Sequence, residues 1–544
     1  MTTDLKLVLD NRINISEDST KLVSISGLQT NNFSTDAQGS TYASTISFVN
    51  LITPSISNTV LSKNFRIRYL LTVSGTTAVM DGLFPNFGAV LAVGPTCAPR
   101  AFPLASIASN ISVVLNGTTM NLDSRQSLSQ TQRRFPKEWL QGFATESPSM
   151  ADNCACLIND VATMPSSNQP LSNYYNSSGY TRGSFMPLSY ARAGGGNSTV
   201  IFEICEPVLC SPLVINDQDT YLANISTLSL TYTYNYLMDM LSFADSVAVP
   251  VVAVALSYPR LELTYIQTSA DVVQIPRVIT TGYENVICFS KAMEVMTGTN
   301  TLEQYSITGD MLRLSATPAL IYVCYRPQLT ARTGATESRS LADACLNLGP
   351  MAGNNMMPGF NITFGNRTGL LNGMSCKGAY QMSKRNGYNG SYNEWNLSGS
   401  WLIINPTLDF GLNLAGGDTV ISEAGQVNFQ FSATYNNSNY VNSFVVAGGE
   451  NIAGLALSLD IVVVYAGRVT ISPDNCVPST GDISASEVAT LIKSSGAEQT
   501  TISTEALDPT IKAAGLFSRK TLLGHGARSS HSHRKTHGGR MTVS

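Results

Sequence analysis

The sequence predicts an all-β protein made of two antiparallel β-sandwich units in tandem. The first observation is an alternating stretch at 227–236, in which every second residue is apolar, as in a half-buried strand. The second is a proline-bounded segment, 246–259, followed by another alternating stretch that starts at Leu261. The third is the length, since 544 residues exceed what one hydrophobic core holds. A strand that closes one unit, a joint and a strand that opens the next together predict two domains.

The first unit is expected to span 41–245, after a polar and weakly patterned N-terminal arm at 1–40. The pair Asn116-Gly117 predicts a tight hairpin, because both central positions of a type I′ turn need positive φ. A short helix is predicted within 126–139. The candidate strands of this unit are 42–52, 65–74, 110–122, 199–205 and 227–236.

The second unit is expected to span 260–472, after a linker at 246–259. Its last strand is continuously apolar at 461–465, which predicts burial on both faces. Strands separated by long loops are typical of Greek-key sandwiches rather than compact meanders. The other candidate strands are 260–266, 285–289, 319–326, 360–364, 400–404 and 427–435.

The charges are few and unevenly placed. Only 13% of the residues are charged, and such sparse charge is typical of a surface covered by copies or partners, although secreted β proteins share it. The C-terminal extension, 473–544, ends in a glycine-rich basic tail that we expect to be disordered. The tail is predicted either to bind the phosphates of nucleic acid, with the release of counterions as the driving force, or to be a solvated tail that aids solubility. Its basic residues are Lys512, Arg519, Lys520, Arg528, Arg534, Lys535 and Arg540.

The placement of histidine argues against catalysis. All four histidines lie in the tail, so residues 1–511 contain none. The usual general base and the Ser-His-Asp and Cys-His systems are therefore excluded from the body. A glycosidase-like carboxylate pair would have to come from Asp217, Asp219 and Asp460, which nothing in the sequence brings together. We predict that the protein is not an enzyme.

The cysteines predict neither a metal site nor a cofactor. Ten are scattered without a CxxC pair, and Cys154 and Cys156 form the only close pair. The N-terminus lacks the apolar region of a signal peptide, which favours a reducing intracellular compartment. The longest apolar run, 247–256, is about half a membrane span. The main rival interpretation is a carbohydrate-binding or adhesive β-sandwich, which should carry a secretion signal and disulfides.

Three short motifs each have two interpretations. The basic turn at 384–387 either contacts a phosphate or glycan, or is a solvated hairpin turn. The glycines at 194–196 lack the Lys-Ser/Thr of a phosphate loop, which favours a flexible loop. The tyrosines at 232–236 either stack on bases or sugars, or, as their alternation favours, belong to the sheet and its core.

Three longer stretches carry a family resemblance through their order and spacing. Together they resemble the double jelly-roll major capsid proteins of small DNA viruses, namely polinton-like viruses, adintoviruses and virophages, with adenovirus hexon a more distant relative. The resemblance covers roughly residues 42–471. The first stretch comprises 98–104, 110–117 and 146–152. The second is 206–213, before the joint. The third comprises 383–389, Trp395 and 398–400 and leads to 461–465.

The resemblance implies two eight-stranded jelly rolls standing side by side. It further implies that three copies form a pseudo-hexagonal capsomer, and that capsomers tile an icosahedral shell around viral DNA together with penton or other minor capsid proteins. The protein would be a virion component, made and assembled inside the host cell. Long loops, expected at 145–200, 327–358 and 372–398, would form the outward towers.

The resemblance also implies a viral maturation protease as a partner. The run Leu522-Leu523-Gly524-His525-Gly526 matches the cleavage pattern of adenovirus-type proteases, with the cut between His525 and Gly526. An extended, glycine-containing segment can enter a protease cleft, whereas a strand cannot. A second match at 414–417 is expected to be protected inside the second jelly roll.

Overall fold

The computed structural model describes the two β units but not every connecting loop. Residues 1–28, residues 481–544 and the gaps between the ranges given below are not described. Residues 1–28 of the predicted arm, the predicted loop from 328 to 358, most of the predicted loop 145–200 and the basic tail thus lie outside the described residues. Two predictions are wrong: Gln29–Asp36 of the predicted arm is a strand of the first jelly roll, and the predicted loop 372–398 contains a helix at Cys376–Arg385. The described ranges are 29–39, 42–49, 59–83, 97–143, 146–149, 188–192, 196–213, 221–243, 252–267, 277–292, 304–327, 360–372, 374–392, 395, 402–410, 427–436 and 457–480.

The first unit contains thirteen described strands and several short helices. The helices begin where the chain supplies a cap: Asp123, for example, accepts a hydrogen bond from the Gln126 amide in the first turn of its helix. In chain order the elements are β1 Gln29–Asp36, β2 Thr45–Phe48, β3 Thr59–Ser62, β4 Arg66–Thr76, α1 Thr77–Leu83, β5 Cys97–Pro99, α2 Pro103–Ile107, β6 Ala108–Leu115, β7 Thr118–Leu122, α3 Ser124–Thr131, a 3-10 turn Gln132–Arg134, α4 Lys137–Gln141, β8 Ser189–Ala191, β9 Asn197–Pro207, β10 Tyr221–Ala223, β11 Leu228–Tyr234, a 3-10 turn Leu237–Met240, β12 Leu241–Phe243 and β13 Val252–Gln267.

The second unit contains ten described strands and two described helices. Ser375 and Asn405 cap the two helices by accepting from the amides of Gly378 and Leu408. The elements are β14 Ile279–Ala292, β15 Gln304–Thr308, β16 Leu312–Leu314, β17 Leu320–Pro327, β18 Phe360–Phe364, β19 Arg367–Leu370, α5 Cys376–Arg385, β20 Leu402–Ile404, α6 Pro406–Asp409, β21 Val427–Asn436, β22 Leu457–Ser472 and β23 Asn475–Thr480.

Eight strands of the first unit form a jelly roll. One sheet has the order β1-β13-β4-β9, and the sheet that faces it has the order β2-β11-β6-β7, with every pair antiparallel. Numbered along the chain, these orders are 1-8-3-6 and 2-7-4-5, the double Greek key of a jelly roll. The short strands β3, β8 and β10 extend the first sheet.

The second unit repeats this strand order without visible sequence repetition. Its sheets are β14-β22-β17-β20 and β15-β21-β18-β19, again 1-8-3-6 and 2-7-4-5 along the chain. The predicted fold class, two tandem eight-stranded antiparallel jelly rolls, is therefore confirmed. Of the described helices, none is long and apolar enough to cross a bilayer.

The predicted boundary between the units differs from the observed one. The segment 260–266 was expected to open the second unit, yet it is the C-terminal half of β13, which pairs with β1 and β4 of the first. Residues 252–259 of the expected linker form the other half of this strand. The alternation at 228–234 marks the seventh strand rather than the last. A periodic pattern reveals that a strand exists but not which strands it pairs with, and the chain passes between the units only after Gln267.

Burial follows the predicted alternation closely. Along β11 every second side chain is buried, and the residues 461–465 of β22 are buried on both faces, as their apolar run predicts. The hairpin at Asn116-Gly117 has φ of 45° and 82°, as a type I′ turn requires. The helix expected within 126–139 is real but broken into α3, a 3-10 turn and α4.

Candidate functional site: the seam between the two jelly rolls

The seam is an apolar contact in which strands of the second jelly roll cover the end of the first. The N-terminal half of β14 and the C-terminal part of β22, with β23, contribute to the same core cluster as the first jelly roll. The second jelly roll has its own core further along the same strands. Long shared strands therefore make the two units one continuous block. The second unit's contribution to the first core is Ile279, Tyr283, Val469, Ile471 and Cys476.

Asn116, in the turn of the β6–β7 hairpin, forms hydrogen bonds with both jelly rolls at the seam. The Asn116 Oδ1 accepts hydrogen bonds from the backbone amides of Ser226 and Thr227 at 2.8 and 3.2 Å. Its Nδ2 donates to the Asn224 carbonyl at 2.8 Å and, across the seam, to the Ser472 carbonyl at 2.6 Å. The side chain is buried and fully used, so a residue predicted only as a turn also ties the units together.

Replacement of Asn116 by aspartate is expected to lower the free energy of unfolding by about 2–3 kcal/mol. Aspartate tolerates the positive φ, but it has no donor for the Asn224 and Ser472 carbonyls, and it buries a charge. Thermal and urea unfolding measure the loss. Asn366→Asp, at an exposed turn, is the control and should stay within about 0.5 kcal/mol. Equal stability of both variants would contradict this role of Asn116.

A buried ion pair crosses the seam a short distance away. Arg134, in the 3-10 turn, donates from Nη2 to Oε2 of Glu284 on β14 at 2.7 Å, and its side chain is only 4% exposed. Burial alone would lower the pKa of Arg134, but the Glu284 carboxylate more than compensates and keeps the guanidinium charged. The Glu284 backbone amide also donates to Ser211 Oγ at 2.9 Å.

Two residues of the motif at 383–389, in the second jelly roll, contact Arg134 of this ion pair. Gly387 has φ of 111°, and a β-carbon there would come within 3.3 Å of Cγ of Arg134. Asn389 donates from Nδ2 to the carbonyls of Arg134 and Phe135 at 3.0 and 3.2 Å. Gly387 and Asn389 therefore contact the first jelly roll, a role that neither interpretation of the turn included, while Lys384 and Arg385 are exposed.

The basic residues of this motif have contacts of their own. Lys384 lies over the ring of Tyr380, 5.7 Å from its centroid. Arg385 is paired with Asp409, whose buried carboxylate also accepts from Asn386 Nδ2 at 2.6 Å. These contacts hold the end of α5 in place.

A cavity beside the ion pair is too small for a cofactor or a sugar. It encloses about 50 Å³, enough for water-sized molecules only. Its lining includes Arg134, Glu284, Ser211, Tyr283 and Cys210. Among the described residues, no group of three or more His, Cys, Asp or Glu side chains is arranged to hold a metal ion.

The candidate carboxylates of the enzyme alternative do not assemble in the described part. Asp460 is fully buried within β22 and accepts hydrogen bonds from Ser290 and Ser458. Asp217 and Asp219 lie outside the described residues, as do the glycines at 194 and 195 and the close pair Cys154 and Cys156. Tyr232 and Tyr234 are buried in the core, which supports their plainer interpretation.

One unusual group, Glu206, was not singled out from the sequence. It lies at the end of β9, is fully buried, and accepts through Oε1 from the Ala105 amide at 3.0 Å. Its Oε2 has no hydrogen-bond partner among the described residues. Burial raises the pKa of Glu206 to about 8, although backbone N–H groups of α2 partly oppose the shift. A glutamate directly after an apolar strand was the available signal.

The fold and the seam together define a class of protein. Two jelly rolls with one strand order, fused through shared strands, and no catalytic cluster in the described part, are the features of a double jelly-roll structural protein. The predicted nucleic-acid residues of the tail and the predicted cut at His525 and Gly526 lie outside the described residues.

Comparison with known proteins identifies the chain within this class. Residues 3–238 match the family described as Sputnik virophage major capsid protein 1st domain, and residues 277–398 match the major capsid protein V20 C-terminal domain. The chain is a double jelly-roll major capsid protein of the virophage type, a structural component of the virion and not an enzyme.

Individual relatives agree with this assignment. The putative capsid protein V20 of Sputnik virophage is 22% identical over 422 residues, which are 72% of this chain and 66% of that protein, slightly under two thirds of its length. The Sputnik virophage structure solved by cryo-EM aligns with a TM-score of 0.67 at 19% identity, covering 90% of this chain and 94% of the other. The crystal structure of the mavirus major capsid protein aligns with a TM-score of 0.60 at 14% identity, covering 85% and 93%.

Proposed function

We propose that three copies of this chain form a pseudo-hexagonal capsomer, and that such capsomers tile an icosahedral shell around viral DNA. The observation that carries the proposal is the repeated strand order of two jelly rolls fused into one block. Three blocks of two similar units present six nearly equivalent sides, which suits hexagonal tiling. The sparse charge fits large interfaces between copies, because obligate interfaces deplete charge at their core.

Native mass spectrometry and light scattering of the purified chain test this proposal. A species near three times 58.2 kDa, with hexagonal particles in negative-stain images, is the expected result. A well-folded monomer at micromolar concentration, without particles, would contradict it.

The further partners follow from the same proposal. Neighbouring capsomers would contact the outer sides of the trimer, and penton or other minor capsid proteins would occupy positions that hexagonal tiles cannot fill. Synthesis and assembly would take place inside the host cell. Purified capsomers mixed with and without candidate minor proteins, and compared by electron microscopy, would distinguish partial from closed shells.

The basic tail is proposed as the contact with viral DNA. Seven Lys and Arg residues without an acid favour binding to phosphates through counterion release, with no sequence preference. Deletion of 512–544 should weaken DNA binding and flatten its salt dependence. Unchanged binding after the deletion would leave the tail as a solvated segment only.

The same tail is proposed as the substrate of a viral maturation protease. A cut between His525 and Gly526 would release 526–544 as a small basic peptide. Intact-mass measurement on mature particles decides the matter: the expected capsid chain ends at His525, and a chain that ends at Ser544 would refute the cleavage.

A further inference from the structure

The eighth strands of the two jelly rolls differ in how fully they are covered. In the second jelly roll, β14 pairs with β22 along its length, from Ile279 opposite Ile471 to Ala292 opposite Ser458. In the first, β1 pairs only with residues 260–267 of β13. Residues 252–258 are named here the open edge, and 252–257 of them pair with β4 on one side. Within the described residues, no strand lies along their other side.

The open edge lacks the devices that usually protect an unpaired strand. Exposed edges in monomeric proteins carry lysines or other charges that prevent pairing with another chain. The open edge reads Val-Ala-Val-Ala-Leu-Ser-Tyr and has no charge. Ala253 and Ala255 are exposed, and their small side chains allow another chain to approach closely. The first charged residue beyond it, Arg260, is paired with Asp36.

Tyr258, at the end of the open edge, has an unusual conformation. Its φ of 51° lies in the left-handed region, and the register with β4 shifts between Ser257 and Arg260. The shift directs a side chain that is 76% exposed away from the sheet. A tyrosine in this conformation is strained, and such strain collects at contacts with ligands and partners.

We propose that the open edge and Tyr258 form a contact between copies of this chain in the capsomer. The proposal rests on the proposed trimer and adds where one subunit meets the next. The second jelly roll indicates what fits the site, because there the equivalent side of the eighth strand is covered by another strand, β14. In a capsid protein, the neighbour available in every assembly is a second copy. That copy would supply main-chain partners and an apolar surface for the tyrosine ring.

The double variant Ala255→Lys with Tyr258→Asp tests the contact in the full-length protein. Charge on an exposed edge should raise the dissociation constant of the trimer at least tenfold, while circular dichroism and the thermal midpoint of the subunit stay unchanged. The matched control is Ala191→Lys with Leu188→Asp, an exposed alanine and an exposed leucine at β8, the strand at the far edge of the same sheet. The control should assemble as the wild type does.

Each outcome decides between the two proposals. If the wild type is a trimer and the double variant remains one, or if the control variant dissociates to the same extent, the open edge is not the contact. The proposed capsomer would still stand. A wild-type monomer overturns the capsomer and the open edge with it. If the double variant does not fold, Tyr258→Gly answers the question, because glycine accepts the left-handed conformation and the tyrosine side chain is removed without adding a charge. Its trimer should still be weakened.

Discussion

The free energy of unfolding of the wild-type protein is expected to fall by about 5 kcal/mol between pH 4.5 and pH 8 through Glu206, and replacement of Glu206 by glutamine is expected to abolish this fall. Glu206 is fully buried, and its Oε2 has no partner among the described residues. Its pKa rises from 4.5 to about 8 in the folded protein because burial disfavours the carboxylate. A shift of this size corresponds to roughly 5 kcal/mol.

The sign follows from which state binds the proton. Between pH 4.5 and pH 8 the folded protein holds the proton on Glu206, whereas the unfolded chain has released it. The contribution is therefore fully present below pH 4.5 and falls as the pH rises through 8. The phenols of Tyr69 and Tyr232, which interact with the carboxyl, do not offset its charge, since burial raises the pKa of both and keeps them neutral.

Urea unfolding at pH 5 and at pH 8.5 measures the effect. The wild type should lose stability between the two values, and Glu206→Gln should lose much less, because the amide cannot ionise. Glu203→Gln is the matched control, since Glu203 lies on the same strand but pairs with Arg68 on the solvent side, and it should keep the wild-type slope. A Glu206→Gln slope identical to that of the wild type would show that Glu206 is not the titrating group.

Replacement of Glu284 by alanine is expected to lower the free energy of unfolding by about 3–5 kcal/mol. The change leaves the guanidinium of Arg134 buried at the seam without a counterion. An unpaired buried charge destabilises a protein by more than the intact ion pair stabilises it. Two of the Arg134 nitrogens, Nε and Nη1, already have no hydrogen-bond partner among the described residues. The same change should loosen the contact between the jelly rolls.

A double replacement distinguishes the contribution of the ion pair from the cost of an unpaired buried charge. Arg134→Met with Glu284→Leu should recover most of the loss, because an apolar pair of similar volume leaves no charge in the seam. The exposed pair Arg260–Asp36 is the control, and Asp36→Ala should cost less than about 0.5 kcal/mol. If Glu284→Ala were no worse than Asp36→Ala, the seam pair would have no special role.

Much of the fold could be predicted from local patterns. The alternation at 228–234, the apolar run at 461–465 and the Asn116-Gly117 turn each correspond to the element that their residues predict. These features depend on neighbours one or two positions apart, which the sequence displays directly. The absence of histidine from 1–511 and the sparse charge likewise indicated a structural protein before any contact was known.

The seam could not be predicted in this way. Asn116 and Ser472 are 356 positions apart, and Arg134 and Glu284 are 150 apart, so no local pattern links them. The motif at 383–389 was interpreted as a basic turn with a hairpin glycine, and nothing in the sequence indicated that Gly387 and Asn389 contact Arg134 and Phe135 of the other jelly roll. Glu206 was overlooked because its position at the end of an apolar strand is a weak local signal, whereas its complete burial depends on the tertiary structure.

The sequence by itself determined that this protein consists of paired β units with few charges and a basic tail, because strand period, turn chemistry and composition are local properties. Only the tertiary structure decided that β13 belongs to the first jelly roll, that two cores share the strands β14 and β22, and that one edge of β13 lacks a strand partner among the described residues. The physical reason is that a strand with an alternating pattern can form its backbone hydrogen bonds with many different partner strands. Its actual neighbour is selected by the burial and pairing of the whole chain at once.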